Sequence, residues 1–346
     1  MSMWNPQAAV PGPFVRLLLT PHPPLSLQTT TSFQPSLTIP TASMESRSTM
    51  KSSIASLSRI QISTFFSASG CPSQQQCDEK ARSLSGEYPT PTPLQGGSSY
   101  TVIAGEYVVQ FRAARAALDL EFLGFIEKAY DGLIPWHRAL GTLGNLYVYT
   151  MQNILCLGVE QDPRGLAATR SPISVLQVRV SARATLVGTT AALGLVLDGL
   201  LQHLPCLMGA GWPLVPNHDG LLENNIYVDP STGKLVGICD LAGTEISPFG
   251  MSLGWVENIL GIAKLNGHAY HANHQELRGL FYEELYHAME DVSVKDKERM
   301  EDARLVGLFL ANGWRCDTSG TLVPAEEGEP NLCYLDAVLR TTCDRY

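Results

Sequence analysis

Basic residues are in short supply. Lys and Arg number 24 against 33 Asp and Glu, a formal net charge of −9. That deficit argues against partners built on a phosphate backbone or on anionic lipid, so neither nucleic acid nor a membrane is expected. An acidic cleft would suit a cationic substrate, but net charge does not locate a cleft. No stretch approaches eighteen uninterrupted apolar residues, which excludes a transmembrane helix. The eight cysteines are scattered and form no C-x-x-C pair. No zinc site is therefore expected, and free thiols in a reducing, cytoplasmic compartment are. Charge is almost missing from residues 1–49, where only Arg16, Glu45 and Arg47 carry it. This Ser-, Thr-, Pro- and Gln-rich run cannot bury enough apolar surface to offset its ordering entropy. A disordered or non-native extension is expected there.

What remains is long and apolar enough for a sizeable core. Hydrophobic residues make up 45% of 346, enough for one bilobed domain or two small ones. A short helix is expected near Ile54–Phe66. Residues 91–152 read as β-rich. Tyr100–Ala104 and Tyr107–Phe111 are β-branched and aromatic, with Gly105-Glu106 as a tight turn between them. Gln95-Gly96-Gly97-Ser98-Ser99 is a second turn by composition. Leu118–Ile126 begins a helix, and Leu146–Met151 reads as a buried strand. Residues 157–186 show no clear period. Ala184–Leu204 carries leucines on one helical face, and His274–Val292 and Lys295–Asn312 carry i, i+3/i+4 apolar stripes. Glu245–Gly250 reads as a loop; Glu245 and Glu257 could line a cationic acceptor site, but solvated acids are the reading preferred. A last short helix follows Leu332.

The chemistry concentrates in Asn217–Leu241, NHDGLLENNIYVDPSTGKLVGICDL. Asn217, His218 and Asp219 form a first polar cluster, and Asn224 and Asn225 a second. Ile226–Val228 and Leu235–Cys239 are short strands around the turn Asp229-Pro230-Ser231-Thr232-Gly233. The pattern predicts a β-hairpin that delivers Asn225 at one end and Asp240 at the other. A carboxamide and a carboxylate so placed are hard-oxygen ligands of the kind Mg²⁺ takes, because it binds few protein oxygens and completes its shell with phosphates.

These residues resemble the catalytic core of the aminoglycoside phosphotransferase and choline kinase-like family. That family carries H-G-D-x-x-x-x-N, a hairpin, then an Asp. The wider run to Gly261 is closest to a fungal subgroup. The resemblance spans roughly residues 90–340. It implies an α+β, bilobed protein-kinase-like fold. A small β-rich lobe would cover residues 50–153 and a larger, mainly helical lobe 154–346. It implies ATP and Mg²⁺ as cofactors and a small-molecule hydroxyl group as phosphoryl acceptor. Asn225 and Asp240 would hold the metal. Gln95, Gly96, Gly97, Ser98 and Ser99 would cover the nucleotide, although alone this run also reads as an ordinary hairpin turn. Arg112 stands where the family usually has a phosphate-binding Lys, with Glu121 as its ion-pair partner. Backbone near Thr150, Met151 and Asn153 would meet the adenine.

One departure bears on activity. His218 matches the family's His, but Gly220 stands where the catalytic Asp belongs, and Asp219 comes one residue early. A one-residue shift in extended backbone turns a side chain to another face, and a general base must reach its proton. Either the loop rearranges so that Asp219 serves beside His218, or the chain is a pseudokinase-like binder that transfers poorly or not at all.

Overall fold

The computed structural model describes residues 44–67, 70–130, 132–154, 191–209, 211–218, 220–229, 232–317 and 322–343. The described chain is α+β and divides into two compact units. One takes in residues 44–127 and 134–154, the other 128–133 and 191–343. A short run in the middle of the first unit's chain thus belongs to the second.

The first unit is built on a five-stranded antiparallel sheet. Its strands are β1 (Thr90–Pro91), β2 (Ser99–Ala104), β3 (Tyr107–Ala113), β4 (His137–Leu143) and β5 (Leu146–Gln152), in the order β1-β2-β3-β5-β4. Ala104 pairs with Tyr107 across the expected Gly105-Glu106 turn. Alternate residues point to one face: Tyr100, Val102, Val109, Phe111, Leu146 and Val148 are buried against Phe65 of α1 (Met44–Phe66) and Cys77 and Ala81 of α2 (Gln74–Ser85). Period-two burial on one side is what a half-covered antiparallel sheet requires. Tyr100 is fully buried, and its hydroxyl donates to Asp78 Oδ1 at 2.7 Å, which satisfies the one polar atom the core must take in.

Two sequence expectations change here. The helix near Ile54 starts ten residues earlier, at Met44, inside the run expected to be disordered. Once nucleated, a helix adds one local hydrogen bond per residue, so a polar run extends it without a core of its own. β4 was not expected, because HRALGTL has no apolar alternation. It is an edge strand with five consecutive exposed residues, Arg138–Thr142, interrupted by a bulge. An edge strand is held by backbone pairing and needs no buried stripe.

The second unit is mainly helical. Helices α4 (Ala191–Leu207), α7 (Val294–Asn312) and α8 (Pro330–Thr342) share a core. On α4 the buried positions are Leu193, Val196, Leu197, Leu200, Leu204 and Leu207, the spacing of one helical face. Ser293 caps α7 through a reciprocal bond pair with Asp296. A second cluster joins Trp212, Phe249, Leu253, Leu285 of α6 (His274–Met289) and Met300. The segment Met251–Trp255, a 3₁₀ turn, lies hard against α7. A Cβ on Gly307 would sit 2.0 Å from the Met251 carbonyl oxygen, and one on Gly254 would sit 2.6 Å from Leu308. Only glycine permits that approach. The hairpin β10 (Gly261–Lys264) with β11 (Gly267–Tyr270), and the pair β12 (Trp314–Cys316) with β13 (Leu322–Pro324), were not foreseen. No helix of the described residues is long and apolar enough to cross a membrane. The aperiodic run 157–186 lies outside the described residues.

Glu245–Gly250 is not simply a loop. Residues Glu245–Pro248 form β9, paired with β6 (Leu214–Asn217) from Leu214↔Pro248 to Asn217↔Glu245. Glu257 is not solvated either. It is 1% exposed on the short helix α5 (Val256–Ile259) and takes bonds from Arg278 and the Tyr270 hydroxyl. A buried carboxylate survives only when paired in this way.

His137 on β4 gives a pH test. Burial pulls its pKa down to about 4, against a raising bond to the Pro135 backbone, and the Arg112 charge lowers it further. The unfolded chain therefore binds this proton below about pH 6.5 while the folded chain does not. Stability should be full above that pH and fall as pH drops toward 4. His137→Gln should flatten this limb of the melting temperature–pH curve. An unchanged limb would show that the imidazole is not held neutral.

Candidate functional site

The site is assembled in the helical unit from two arms. The first is β6 and the loop after it. The second is the hairpin β7 (Ile226–Val228) and β8 (Leu235–Ile238), which ends at Cys239 and Asp240. Ile226 pairs with Ile238, and Cys239 N–H donates to the Asn225 carbonyl at 3.0 Å. The register therefore sets Asn225 beside Cys239-Asp240 at the open end of the hairpin, as the sequence pattern led one to expect.

Asn217 closes the first arm. Its side chain is buried, and its Nδ2 donates to the carbonyls of Val215, Ser247 and Pro248 and to Ser247 Oγ at 2.8–3.2 Å. Its Oδ1 accepts from Ser252 N–H and Oγ–H at 3.0 and 2.9 Å. One carboxamide thus joins β6, β9 and the 3₁₀ turn after it. Sequence reading placed Asn217 in a polar cluster but gave it no role, because its partners lie 30 to 35 residues away.

His218 bridges the arms. Gly220 N–H donates to its Nδ1 at 3.0 Å, and its Nε2 lies 2.8 Å from the Cys239 carbonyl oxygen. A ring nitrogen that accepts an N–H carries no proton, so the proton is assigned to Nε2, which donates to Cys239. The imidazole holds the loop against the residue before Asp240, a positioning part. Asp219 lies outside the described residues. Gly220 has no backbone strain, and a Cβ there would meet nothing within 4 Å.

Asn225 is buried in a 3₁₀ turn, Glu223–Asn225. Its Nδ2 donates to the Gly220 carbonyl at 2.7 Å, and its Oδ1 accepts from Asn224 Nδ2 at 3.1 Å and from the Cys239 thiol at 3.8 Å. Burial and the charge of Asp240 push the Cys239 thiol up to about 11, so it stays protonated and can donate. Asp240 is exposed and sits in left-handed backbone, φ 61° and ψ 52°. Asp tolerates that region better than most residues, at a cost of about 1–3 kcal/mol. Strain of this kind persists only where neighbours enforce it, and here the hairpin on one side and the 3₁₀ turn Leu241–Gly243 on the other do so. The hairpin thus brings a carboxamide residue and a carboxylate residue to one end, and amide and carboxylate oxygens are donor types that fit Mg²⁺.

A third strut was missed entirely. The Tyr130 hydroxyl donates to the Pro216 carbonyl at 3.0 Å, and Ile238 N–H donates to the Leu133 carbonyl at 2.7 Å. Tyr130 and Leu133 therefore hold both arms just before His218 and just before Asp240. Nothing local in the sequence signals a bond spanning 86 residues.

The remaining residues singled out in the sequence lie in the sheet unit. Gln95 is buried and staples its own loop. Its Nε2 donates to the Thr92 and Thr101 carbonyls, and its Oε1 accepts from Thr101 N–H. Gly96, Gly97 and Ser98 form the loop tip, and Ser99 opens β2. A Cβ on Gly97 would meet nothing within 4 Å, and one on Gly96 only Ser99 Oγ at 3.5 Å. The protein's own packing does not demand glycine at either place. Arg112 pairs with Ser99 across β2–β3, which sets it beside this loop. Its Nε donates to the Ala116 carbonyl at 2.6 Å and its Nη1 to Gln110 Oε1 at 2.9 Å. Glu121 is exposed in the first turn of α3 (Leu120–Ala129). Among the ion pairs of the described residues none joins it to Arg112. Met151 is half-buried on β5 between Val108 and His137.

No protein-family model matches the chain, and no curated protein does. Solved structures do. An aminoglycoside phosphotransferase from Streptomyces rimosus is 15% identical over 66% of this chain and 95% of its own, with a TM-score of 0.40. A choline kinase from Streptococcus pneumoniae is 14% identical over 68% and 87%, with a TM-score of 0.42. A choline/ethanolamine kinase family protein from Mesorhizobium loti is 16% identical over 68% and 83%, with a TM-score of 0.44. At these values the likeness lies in the course of the chain, and residue roles do not transfer through it.

Asn217→Ala should strip several buried groups of their partner at once. A loss of about 2–4 kcal/mol in urea unfolding is expected, since each orphaned buried group costs about 1–3 kcal/mol. A loss below about 0.5 kcal/mol would mean that water replaces the amide and that the network holds nothing.

Proposed function

We propose that the chain is an ATP-dependent phosphotransferase that passes the γ-phosphoryl group to an alcohol of a small acceptor. The observation that carries this reading is the hairpin register, which sets residue Asn225 against Cys239, the residue before Asp240, with Asp240 in left-handed backbone. Asn225 and Asp240 would hold Mg²⁺. When bound, that ion neutralises charge on the phosphate oxygens.

The chain's own residues would position the reactants. In the sheet unit, the tip of Gln95–Ser99 offers backbone N–H groups to phosphates, with glycines at places where the protein itself leaves space. Arg112, opposite Ser99, supplies a permanent positive charge. Backbone near Met151 would meet the adenine. In the helical unit, His218 fixes the loop, and Asp219 would take the hydroxyl proton. Phosphoryl transfer needs mostly positioning and charge neutralisation, so this set suffices in kind. Mg-ATP should raise the melting temperature of the full chain by several degrees, as a ligand bound only by the folded state does. Asp240→Asn should remove the magnesium-dependent part of that rise and all turnover. Turnover unchanged in Asp240→Asn would sink the reading.

Gly220 motivates a second reading, a pseudokinase-like protein that binds nucleotide without transferring phosphate. Because a side chain at Gly220 has open space, Gly220→Asp should fold. If the missing carboxylate is what limits the chain, this variant should gain ATP hydrolysis or transfer. A folded variant with wild-type rates would assign the base to Asp219 if those rates are measurable, and leave a binder if they are nil.

A further inference from the structure

The helical unit contains a second polar centre that the proposed reaction does not use. A cavity of about 150 Å³ has Glu257, Arg278, Tyr282, Lys297, Glu301 and Arg304 among its lining residues. None of His218, Asn225 and Asp240 lines it. Its volume is well below the roughly 300–1,000 Å³ of sites for nucleotides or drug-sized molecules. A ligand here must be small.

The wall has more donors than acceptors. Both carboxylates are already committed to guanidinium forks. Arg278 donates through Nε to Glu257 Oε1 at 2.9 Å and through Nη2 to Oε2 at 2.7 Å. Arg304 donates through Nε to Glu301 Oε2 at 2.7 Å and through Nη2 to Oε1 at 2.6 Å. Glu257 also accepts from the Tyr270 hydroxyl. Three cations face two anions, so one positive charge is in excess. Among the described residues no carboxylate pairs with Lys297, whose Nζ lies 4.2 Å over the Tyr286 ring. Arg304 is 2% exposed, and its Nη1 has no hydrogen-bond partner. A buried, orphaned guanidinium nitrogen is costly unless an acceptor completes it. Burial also raises the pKa values of the Tyr282 and Tyr286 hydroxyls, so both remain donors.

We infer that this cavity binds a small oxyanion, a phosphate or a short carboxylate, through Lys297, Arg304 and the Tyr282 hydroxyl. Oxyanions suit such a wall because charge-assisted bonds to guanidinium and ammonium are the strongest available. A purely structural role would have the Arg278–Glu257 fork tie α6 to α5 and the Arg304–Glu301 fork brace one turn of α7, with no ligand.

The test is thermal shift and calorimetric titration of the full chain with inorganic phosphate, malonate and chloride at matched ionic strength, without nucleotide. A saturable rise of a few degrees with phosphate, malonate or both is expected, and none with chloride. Response to one alone names the anion class. Lys297 is exposed and Tyr282→Phe is nearly isosteric, so Lys297→Gln and Tyr282→Phe should fold and bind at least fivefold more weakly. Arg304→Lys should lose binding if it folds. Asp240→Asn should bind as the wild type does, which separates this cavity from the proposed nucleotide site. No saturable rise, an equal rise with chloride, or full binding in Lys297→Gln would overturn the inference. So would a rise that Asp240→Asn abolishes.

Discussion

The helical unit's candidate site depends on one buried carboxamide. Asn217 shares its two amide N–H groups among four nearby acceptors and accepts from two donors, drawn from β9, from the turn after it and from its own strand. The loop that follows cannot move without breaking a network in which each orphaned group would be costly. His218 carries that constraint across to Cys239 through two ring bonds, and Tyr130 and Leu133 repeat it from a distant part of the chain. The consequence is a fixed separation between the Asn225 end and the Asp240 end of the hairpin. Two ligands for a hard cation need such fixity more than they need number.

The same logic explains why strain is tolerable at Asp240. Left-handed backbone at a non-glycine residue would relax in a free loop. Here strand β8 enters it, a 3₁₀ turn leaves it, and β9 pairs with β6 just beyond. Packing pins the far side. Gly254 and Gly307 let the turn that bears Ser252 press against α7, so the Asn217 network rests on the main helical core. Stability of the core and geometry of the site are therefore coupled through one close backbone contact.

The sheet unit meets its constraints differently. Its loop Gln95–Ser99 is fixed at one end by the buried Gln95 amide and at the other by pairing of Ser99 with Arg112. The tip between them is open, with room for side chains that the sequence does not supply. An anchored base and an unencumbered tip give the backbone N–H groups a defined direction without filling the space before them.

Local sequence determined a good deal of this protein. Strands Tyr100–Ala104 and Tyr107–Phe111, the Gly105-Glu106 turn, the hairpin that ends at Asp240 and the buried leucines of α4 and α7 follow from periodicity and turn chemistry, which act over a few residues. The apolar stripe expected on α6 does not hold, since Leu277 and Leu280 are exposed and Leu285 is its one fully buried position. The neighbourhood of Asn225 and Asp240 was legible for the same reason, since a short hairpin brings its two ends together. Tertiary structure decided the rest. Strand β9 looked like a loop because its partner β6 lies about thirty residues earlier, and four paired residues leave no periodic mark. Glu257 looked solvated because its partners Tyr270 and Arg278 come from other elements. Asn217 and Tyr130 acquire meaning only from atoms far along the chain. Burial of a polar group is a property of the assembled fold, and no local pattern encodes which distant donor will meet it.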